Sequence, residues 1–183
     1  MMAREVRIRP YVPSDAEALY EAVRESINEL RPWLEWCHPE YAIDESRAWI
    51  DHCIEARSAG REYNFAITDF DDRLLGGCGI NRIQPDHRVA NVGYWVRTSV
   101  AGRGVATAAT EVLVEFAFLH TDMNRLEIIA STRNVGSQRV AERAGARREG
   151  IVRSRLFLHG EAHDAAQFSF VRAEFRADPK ASE

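Results

Sequence analysis

The chain has 183 residues, a length that suits one domain with a core of ordinary size. It is 45% hydrophobic and 28% charged, which excludes a disordered or low-complexity chain. Its 24 Lys and Arg against 28 Asp and Glu leave a formal net charge of -4, so nothing favours a general nucleic-acid binder. No stretch approaches the ~20 apolar residues of a membrane span. The opening MMAREVRIRP carries charge where a secretion signal needs an apolar run. Cys37, Cys53 and Cys78 are an odd number without a C-x-x-C pair, which argues against a disulfide framework or a zinc site. A reducing, cytoplasmic location is expected.

Val6-Arg7-Ile8-Arg9 alternates apolar and charged residues and predicts a short strand. Pro13-Ser14-Asp15 reads as a helix start capped by Ser14 or Asp15. Ala18, Leu19, Ala22, Val23, Ile27 and Leu30 then recur at helical spacing until Pro32. Trp33-Leu34-Glu35-Trp36-Cys37-His38-Pro39 is an aromatic loop between two prolines. Asp44-Glu45-Ser46 opens a second helix, expected to bury Ala48, Trp49, His52, Cys53 and Ala56 and to stop at Gly60.

Three strands follow at Tyr63–Thr68, Leu74–Ile83 and Ala90–Arg97, parted by turns at Asp71-Asp72 and Pro85-Asp86-His87; they read as an antiparallel meander. Gly76, Gly77 and Gly79 thin the middle strand, so a neighbour is expected to pack closely against it. A helix is predicted from Gly104 to His120, then a strand at Leu126–Ala130 whose one charge is Glu127. A helix over Val135–Ala144 follows, stopped by Gly145. Val152–Leu158 and Ala165–Val171 form a final hairpin around His159-Gly160. His159-Gly160-Glu161-Ala162-His163-Asp164 has the residue types of a metal cluster, but a hairpin turn explains it and no metal is expected. One domain over residues 1–174 and a frayed tail over 175–183 result.

The stretch VRTSVAGRGVATAATEVLVEF hands a strand to a helix through Gly102-Arg103-Gly104. The first N–H groups of a helix have no intrahelical partner and carry partial positive charge, so they can bind phosphate where the backbone comes close. Glycines permit that approach, and Arg103 adds a cation. A tight packing turn is the plainer reading of the same residues. The Walker A pattern fails for want of Lys-Ser/Thr after Gly104, and the dinucleotide-binding fingerprint lacks its third glycine.

Two blocks in order carry a resemblance. The first is GYWVRTSVAGRGVATAA. The second is Asn134-Val135-Gly136-Ser137-Gln138-Arg139-Val140-Ala141-Glu142-Arg143-Ala144-Gly145, followed by Glu149-Gly150. With the WLEW loop, they resemble the GCN5-related N-acetyltransferases (GNAT), in the ribosomal-protein N-acetyltransferase branch of RimJ/RimL type. That family's phosphate motif, Q/R-x-x-G-x-G/A, is met at Gly104 and Ala106, with Ala101 in its first position.

The resemblance implies an α/β (α+β) fold: a mixed, mostly antiparallel sheet of about seven strands with a splayed middle, and about four helices. The splayed pair would be Ala90–Arg97 and Leu126–Ser131. It implies acetyl-CoA as co-substrate, its pantetheine arm pairing with the main chain of Trp95, Val96 and Arg97 as an added strand does. The pyrophosphate would lie on Gly102, Arg103, Gly104, Val105, Ala106 and Thr107. Asn134 and Ser137 would face the far end of the arm. Arg139 would reach phosphate or adenine, or stand as a solvated helix charge.

The implied reaction is direct acyl transfer from a thioester to a primary amine, without an acyl-enzyme. A backbone N–H near Val96 would meet the developing oxyanion, and the Ser137 hydroxyl would assist the leaving thiolate. A helix N-cap is the alternative role for Ser137. Related enzymes carry glutamates where this chain has Asn91 and Leu156, so Glu127 is the carboxylate left for the catalytic base, with a paired strand residue as its plainer reading. Glu35, His38, His87 and His163 are further options. A water relay or an already neutral α-amine needs no strong base. Trp33, Glu35, Trp36 and Asn91, with Tyr41, are expected to line the acceptor pocket.

The acceptor would be a protein N-terminus or a small amine, and the chain a monomer or homodimer without nucleic-acid or membrane partners. A non-catalytic acyl-CoA-binding or sensor module is the second class, and an unrelated nucleotide-binding protein the third. Turnover separates the former, and a preference for ATP or NAD over coenzyme A separates the latter.

Overall fold

The computed structural model describes residues 6–175. Strand β1 (Arg7–Pro10) leads through a 3-10 turn (Pro13–Asp15) into helix α1 (Ala16–Leu30). Helix α2 (Ile43–Ser58) and strands β2 (Tyr63–Thr68), β3 (Leu74–Gln84) and β4 (Val89–Val96) follow, then helix α3 (Val105–His120). Strand β5 (Arg125–Ser131), helix α4 (Val135–Arg143), and strands β6 (Arg147–Leu158) and β7 (Glu161–Val171) complete the fold. The seven strands form one sheet in the order β1-β2-β3-β4-β5-β7-β6. Every pairing is antiparallel except β4 with β5.

That parallel pair decides the architecture. Its register holds only for Val89↔Arg125, Ala90↔Leu126 and Asn91↔Glu127. Beyond Asn91 the two strands part, while each keeps its outer partner: β4 pairs with β3 to Val96, and β5 with β7 to Ser131. The expected splay is therefore present, opening toward the C-terminal ends of both strands.

Side chains alternate across a strand, so the sheet has two distinct faces. One carries Phe65, Ile67, Ile80, Val92, Leu126, Ile128 and Phe168, packed with Leu113 and Phe118 of α3 and Ala141 of α4. The other packs Tyr11, Ala66 and Leu74 against Leu19 and Val23 of α1 and Ile50 and Cys53 of α2. The glycines of β3 have named neighbours. A Cβ on Gly77 would lie 2.6 Å from the Tyr11 hydroxyl and 2.8 Å from Trp95 Nε1, and one on Gly76 would lie 2.2 Å from the Trp95 carbonyl oxygen. The thin strand is thus the seat of the Trp95 indole.

Two local expectations are corrected. Helix α2 buries Ser46, Ile50, Cys53 and Ala56, whereas Ala48, Trp49 and His52 face outward. The buried residues recur at i, i+4, i+7 and i+10, and Trp49 stacks on His52 outside, with ring centroids 5.4 Å apart. Asp15 makes no side-chain cap to α1. Its carboxylate accepts both Arg9 Nη groups at 2.8 Å and the Val12 N–H at 2.9 Å, because a guanidinium fork outcompetes a lone amide. At the other end Phe175, placed in the tail from sequence, packs against Phe118 with the ring centroids 5.2 Å apart and the planes tilted; residues 176–183 of that tail lie outside the described residues. Among the described residues, no helix is long and apolar enough to cross a membrane.

Candidate active site

Gly104 caps α3 at φ +85° and Gly102 lies at φ +75°, both in the left-handed region that side chains resist. A Cβ on Gly102 would meet nothing within 4 Å, so the backbone angle and not local crowding requires glycine there. The first intrahelical bond runs from Ala108 N–H to Gly104 C=O at 3.0 Å. The amides of Val105, Ala106 and Thr107 therefore stand at the open end of a 16-residue helix. Arg103 beside them is exposed and makes no ion pair among the described residues.

Helix α1 braces the loop that leads into this turn. Glu25 accepts from Arg97 Nε at 2.8 Å and from the Ser99 N–H at 2.8 Å. The buried Ser26 hydroxyl accepts the Thr98 N–H at 3.0 Å, and Glu29 accepts the Thr98 hydroxyl at 3.0 Å. The Arg97 guanidinium and the Ser99 contacts pull the Glu25 carboxyl from 4.5 down to about 2. Nothing in the sequence signals this brace, since Glu25 and Arg97 are 72 residues apart.

The same loop refines the expectation for Trp95, Val96 and Arg97. The Arg97 N–H donates to Leu75 C=O at 2.8 Å, toward β3. The Trp95 carbonyl also points to β3, since it meets the position of a Gly76 Cβ. Backbone groups alternate between the two edges of a strand, so Val96 turns its N–H and C=O toward the gap left by β5. The main-chain groups facing the splay are those of Val96 and Tyr94, and Arg97 serves through its pairing with Glu25.

Across the gap, Asn134 caps α4: its side-chain oxygen accepts the Ser137 N–H at 3.0 Å. Ser137 is therefore the capped residue rather than the cap. Tyr94, on the α3/α4 side of β4, donates its O–H to Ser137 C=O at 2.9 Å, and its oxygen lies 3.1 Å from Ser137 Oγ. Burial pushes the Tyr94 phenol up to about 12, partly offset by the Ser137 contact, so it stays protonated at neutral pH. Sequence reasoning missed Tyr94. The available signal was alternation, which sets Tyr94 and Trp95 on opposite faces of one strand. Arg139 is exposed on α4.

The opposite face of the gap is aromatic. The Trp36 ring meets Trp95 edge-on at 6.0 Å and Tyr41 at 6.1 Å, while Trp33 is half-buried without an aromatic partner in reach among the described residues. The tip of the β6–β7 hairpin docks on this loop. His159 Nε2–H donates to Arg31 C=O at 2.7 Å, and the His159 N–H donates to Glu35 Oε1 at 3.2 Å. Glu35 thus anchors the hairpin. Glu127 lies on the last rung of the β4–β5 ladder, its carboxylate accepting from Arg125 Nε at 2.8 Å and Gln167 Nε2 at 3.2 Å. Arg125 also forks onto Glu149, which that contact holds down at about 2. Asn91, opposite Glu127, donates its amide to Asn81 at 3.0 Å. Among the described residues no three His, Cys, Asp or Glu come together to hold a metal ion.

The whole is a cleft between two strands. Helix amides and an arginine stand at one end, a hydroxyl pair on one side and aromatic walls on the other. Comparisons with known proteins agree on its kind. The family described as Acetyltransferase (GNAT) domain matches residues 5–147. The Bacillus subtilis protein named "Putative ribosomal N-acetyltransferase YdaF" is 30% identical over 173 residues, 94% of each chain. The ribosomal-protein-serine acetyltransferase of Escherichia coli is 24% identical, covering 89% of this chain and 90% of that one. The solved structure of Mycobacterium smegmatis RimJ in complex with CoA-disulfide superposes with a TM-score of 0.87 at 25% identity, over 96% of this chain and 86% of that one.

Proposed function

The chain belongs to the GNAT family of acetyl-CoA-dependent N-acetyltransferases, and from that premise we propose that it acetylates the α-amine of a protein N-terminus of the ribosomal-protein type. The observation that carries this reading is the end-to-end likeness to YdaF, at 30% identity over 94% of both chains. The chemistry favours the same class of acceptor. Only a neutral amine attacks a carbonyl, and an α-amine near pKa ~8 is neutral far more often at pH 7 than a lysine near ~10.4.

In this reading acetyl-CoA lies in the gap between β4 and β5. Its pyrophosphate meets the amides of Gly102 to Thr107, with Arg103 beside it. The pantetheine arm pairs with the edge of Tyr94–Val96, and the Val96 N–H meets the oxyanion. Ser137 Oγ–H donates to the sulfur as the C–S bond breaks. Tyr94 supports that step by turning its O–H from the Ser137 carbonyl to Ser137 Oγ, which leaves the serine proton for the thiolate. Trp36 and Trp95 wall the acceptor channel and exclude water. Asn134 and Ser137 hold the start of α4 against the thioester end, and Trp33 and Asn91 line the outer parts of the opposite, aromatic face. Glu127, held by Arg125 one rung below the parting of the strands, is a brace for β5 in this reading and not the base.

The test is a panel of acetyl-CoA reactions read by mass spectrometry. Peptides with free Ser, Ala or Met N-termini are compared with N-blocked lysine peptides and with spermidine. Acetylation of the free N-termini at the highest kcat/KM supports the reading. Preference for spermidine or lysine makes the chain a small-amine or side-chain acetyltransferase.

A further inference from the structure

We propose that His163 is the proton acceptor for the attacking amine; the inference rests on the acetyl-transfer reading above. The argument begins with strand register. Ser131 ends β5 and pairs with Ala165 of β7. His163, two residues earlier on β7, shows its side chain on the same face, and its Nδ1 lies 3.2 Å from Ser131 Oγ. Glu127 lies on that face of β5, and its register partner Asn91 on that face of β4. Two-residue steps from Asn91 reach Gly93 and then Trp95. The imidazole and the Trp36–Trp95 pair therefore look onto one side of the parted strands, which is the side from which an acceptor enters. Tyr94 and Ser137 occupy the other side. Proton removal and leaving-group assistance thus come from different sides of the gap, so the two groups do not compete for one proton.

The ring is also held in a usable state. Ser131 is 3% exposed, and its Oγ already accepts the Arg133 N–H at 3.2 Å. A hydroxyl oxygen accepts two hydrogen bonds, so it can take Nδ1–H of His163 as well. That tautomer leaves the Nε2 lone pair free. The rival carboxylates on this face are occupied: Glu127 by Arg125 and Glu35 by the His159 N–H. Leu156, directly across from His163, is apolar. The step balances as follows. The neutral amine nitrogen bonds to the acetyl carbon, its proton passes to Nε2, the C–S bond breaks, and the thiolate takes the Ser137 Oγ proton, which solvent replaces as Nε2 releases its own to solvent.

The experiment uses the full chain and the peptide that the wild-type protein acetylates best. His163→Ala is expected to lower acceptor kcat/KM by about 100-fold, the scale of general-base catalysis, and imidazole added to the buffer should restore activity saturably. Acetyl-CoA affinity by calorimetry and the thermal midpoint should stay at wild-type values. His163→Gln, which fills the site and retains a donor for Ser131, should be equally slow but refractory to imidazole. Ser131→Ala, which frees the ring, should give an intermediate loss. Activity of His163→Ala within about 3-fold of wild type, or a loss that imidazole does not restore, overturns the assignment while leaving the transferase reading intact. A wild-type protein that binds acetyl-CoA but acetylates none of the amines overturns both.

Discussion

Replacing Glu25 by Gln tests whether α1 holds in shape the loop proposed to bind phosphate. The carboxylate accepts from Arg97 and from the Ser99 amide, and its value falls from 4.5 to about 2. That difference corresponds to about 3 kcal/mol of preference for the folded state at neutral pH. The Glu25 side chain is 30% exposed and its amide replacement can still accept one bond, so about 2 kcal/mol is the expected loss. For a chain of this length that lowers the thermal midpoint by about 4–8 °C at pH 7. Because the folded value lies below the unfolded one, the stabilisation is complete above about pH 4.5 and disappears as pH falls toward 2. Melting curves of both proteins at pH 7, 4.5 and 3 should converge as the pH is lowered. Acetyl-CoA affinity should weaken by about 3- to 10-fold, since the loop must then be ordered by the ligand. Equal midpoints at pH 7, or a gap unchanged at pH 3, would refute the reasoning.

Other outcomes follow from the same geometry. Ser137→Ala should lower kcat by about 10- to 100-fold with acetyl-CoA affinity unchanged by calorimetry, and Tyr94→Phe should have a smaller effect in the same direction. Gly104→Val forces a β-branched residue to φ +85°, so acetyl-CoA affinity should fall at least about 10-fold and stability by about 1–3 kcal/mol, read by calorimetry and melting. Trp36→Ala removes one wall of the proposed acceptor channel; it should raise the peptide KM about 10-fold and leave the KM for acetyl-CoA unchanged.

Local pattern carried the fold far. Tyr63–Thr68 alternates and ends at turn residues, and Gly102 to Phe116 contains its own stop, turn and restart. Where two features competed within one element, the pattern misled. In α2 the aromatic Trp49 and the neighbouring His52 outweighed the smaller Ser46 and Ile50, yet it is these two that are buried beside Cys53 and Ala56. The geometry of the candidate site was legible at the glycine turn, which opens α3 where the sequence predicted. It was illegible where two distant segments share one group: Glu25 with Arg97, Tyr94 with Ser137 (43 residues apart), and Ser131 with His163. Spacing carries no trace of such pairs, because the sheet order that brings them together is set by the whole chain. The direction of the Val96 amide likewise depends on register, fixed by the Arg97–Leu75 bond.

The docking of the β6–β7 tip on the α1–α2 loop has a topological consequence. His159 bonds to Arg31 C=O and to Glu35, so two hydrogen bonds tie the hairpin tip to the loop and close a hoop of chain beside the aromatic wall. A hoop sorts visitors by shape before affinity acts. For the proposed N-terminal acceptor, a free chain end would thread through it, whereas a residue inside a helix or loop would carry backbone on both sides and stop at the rim. The proposed preference for termini would then need no recognition of a terminal charge. Loosening the hoop, for example by His159→Ala, would widen the range of amines admitted without adding a single favourable contact.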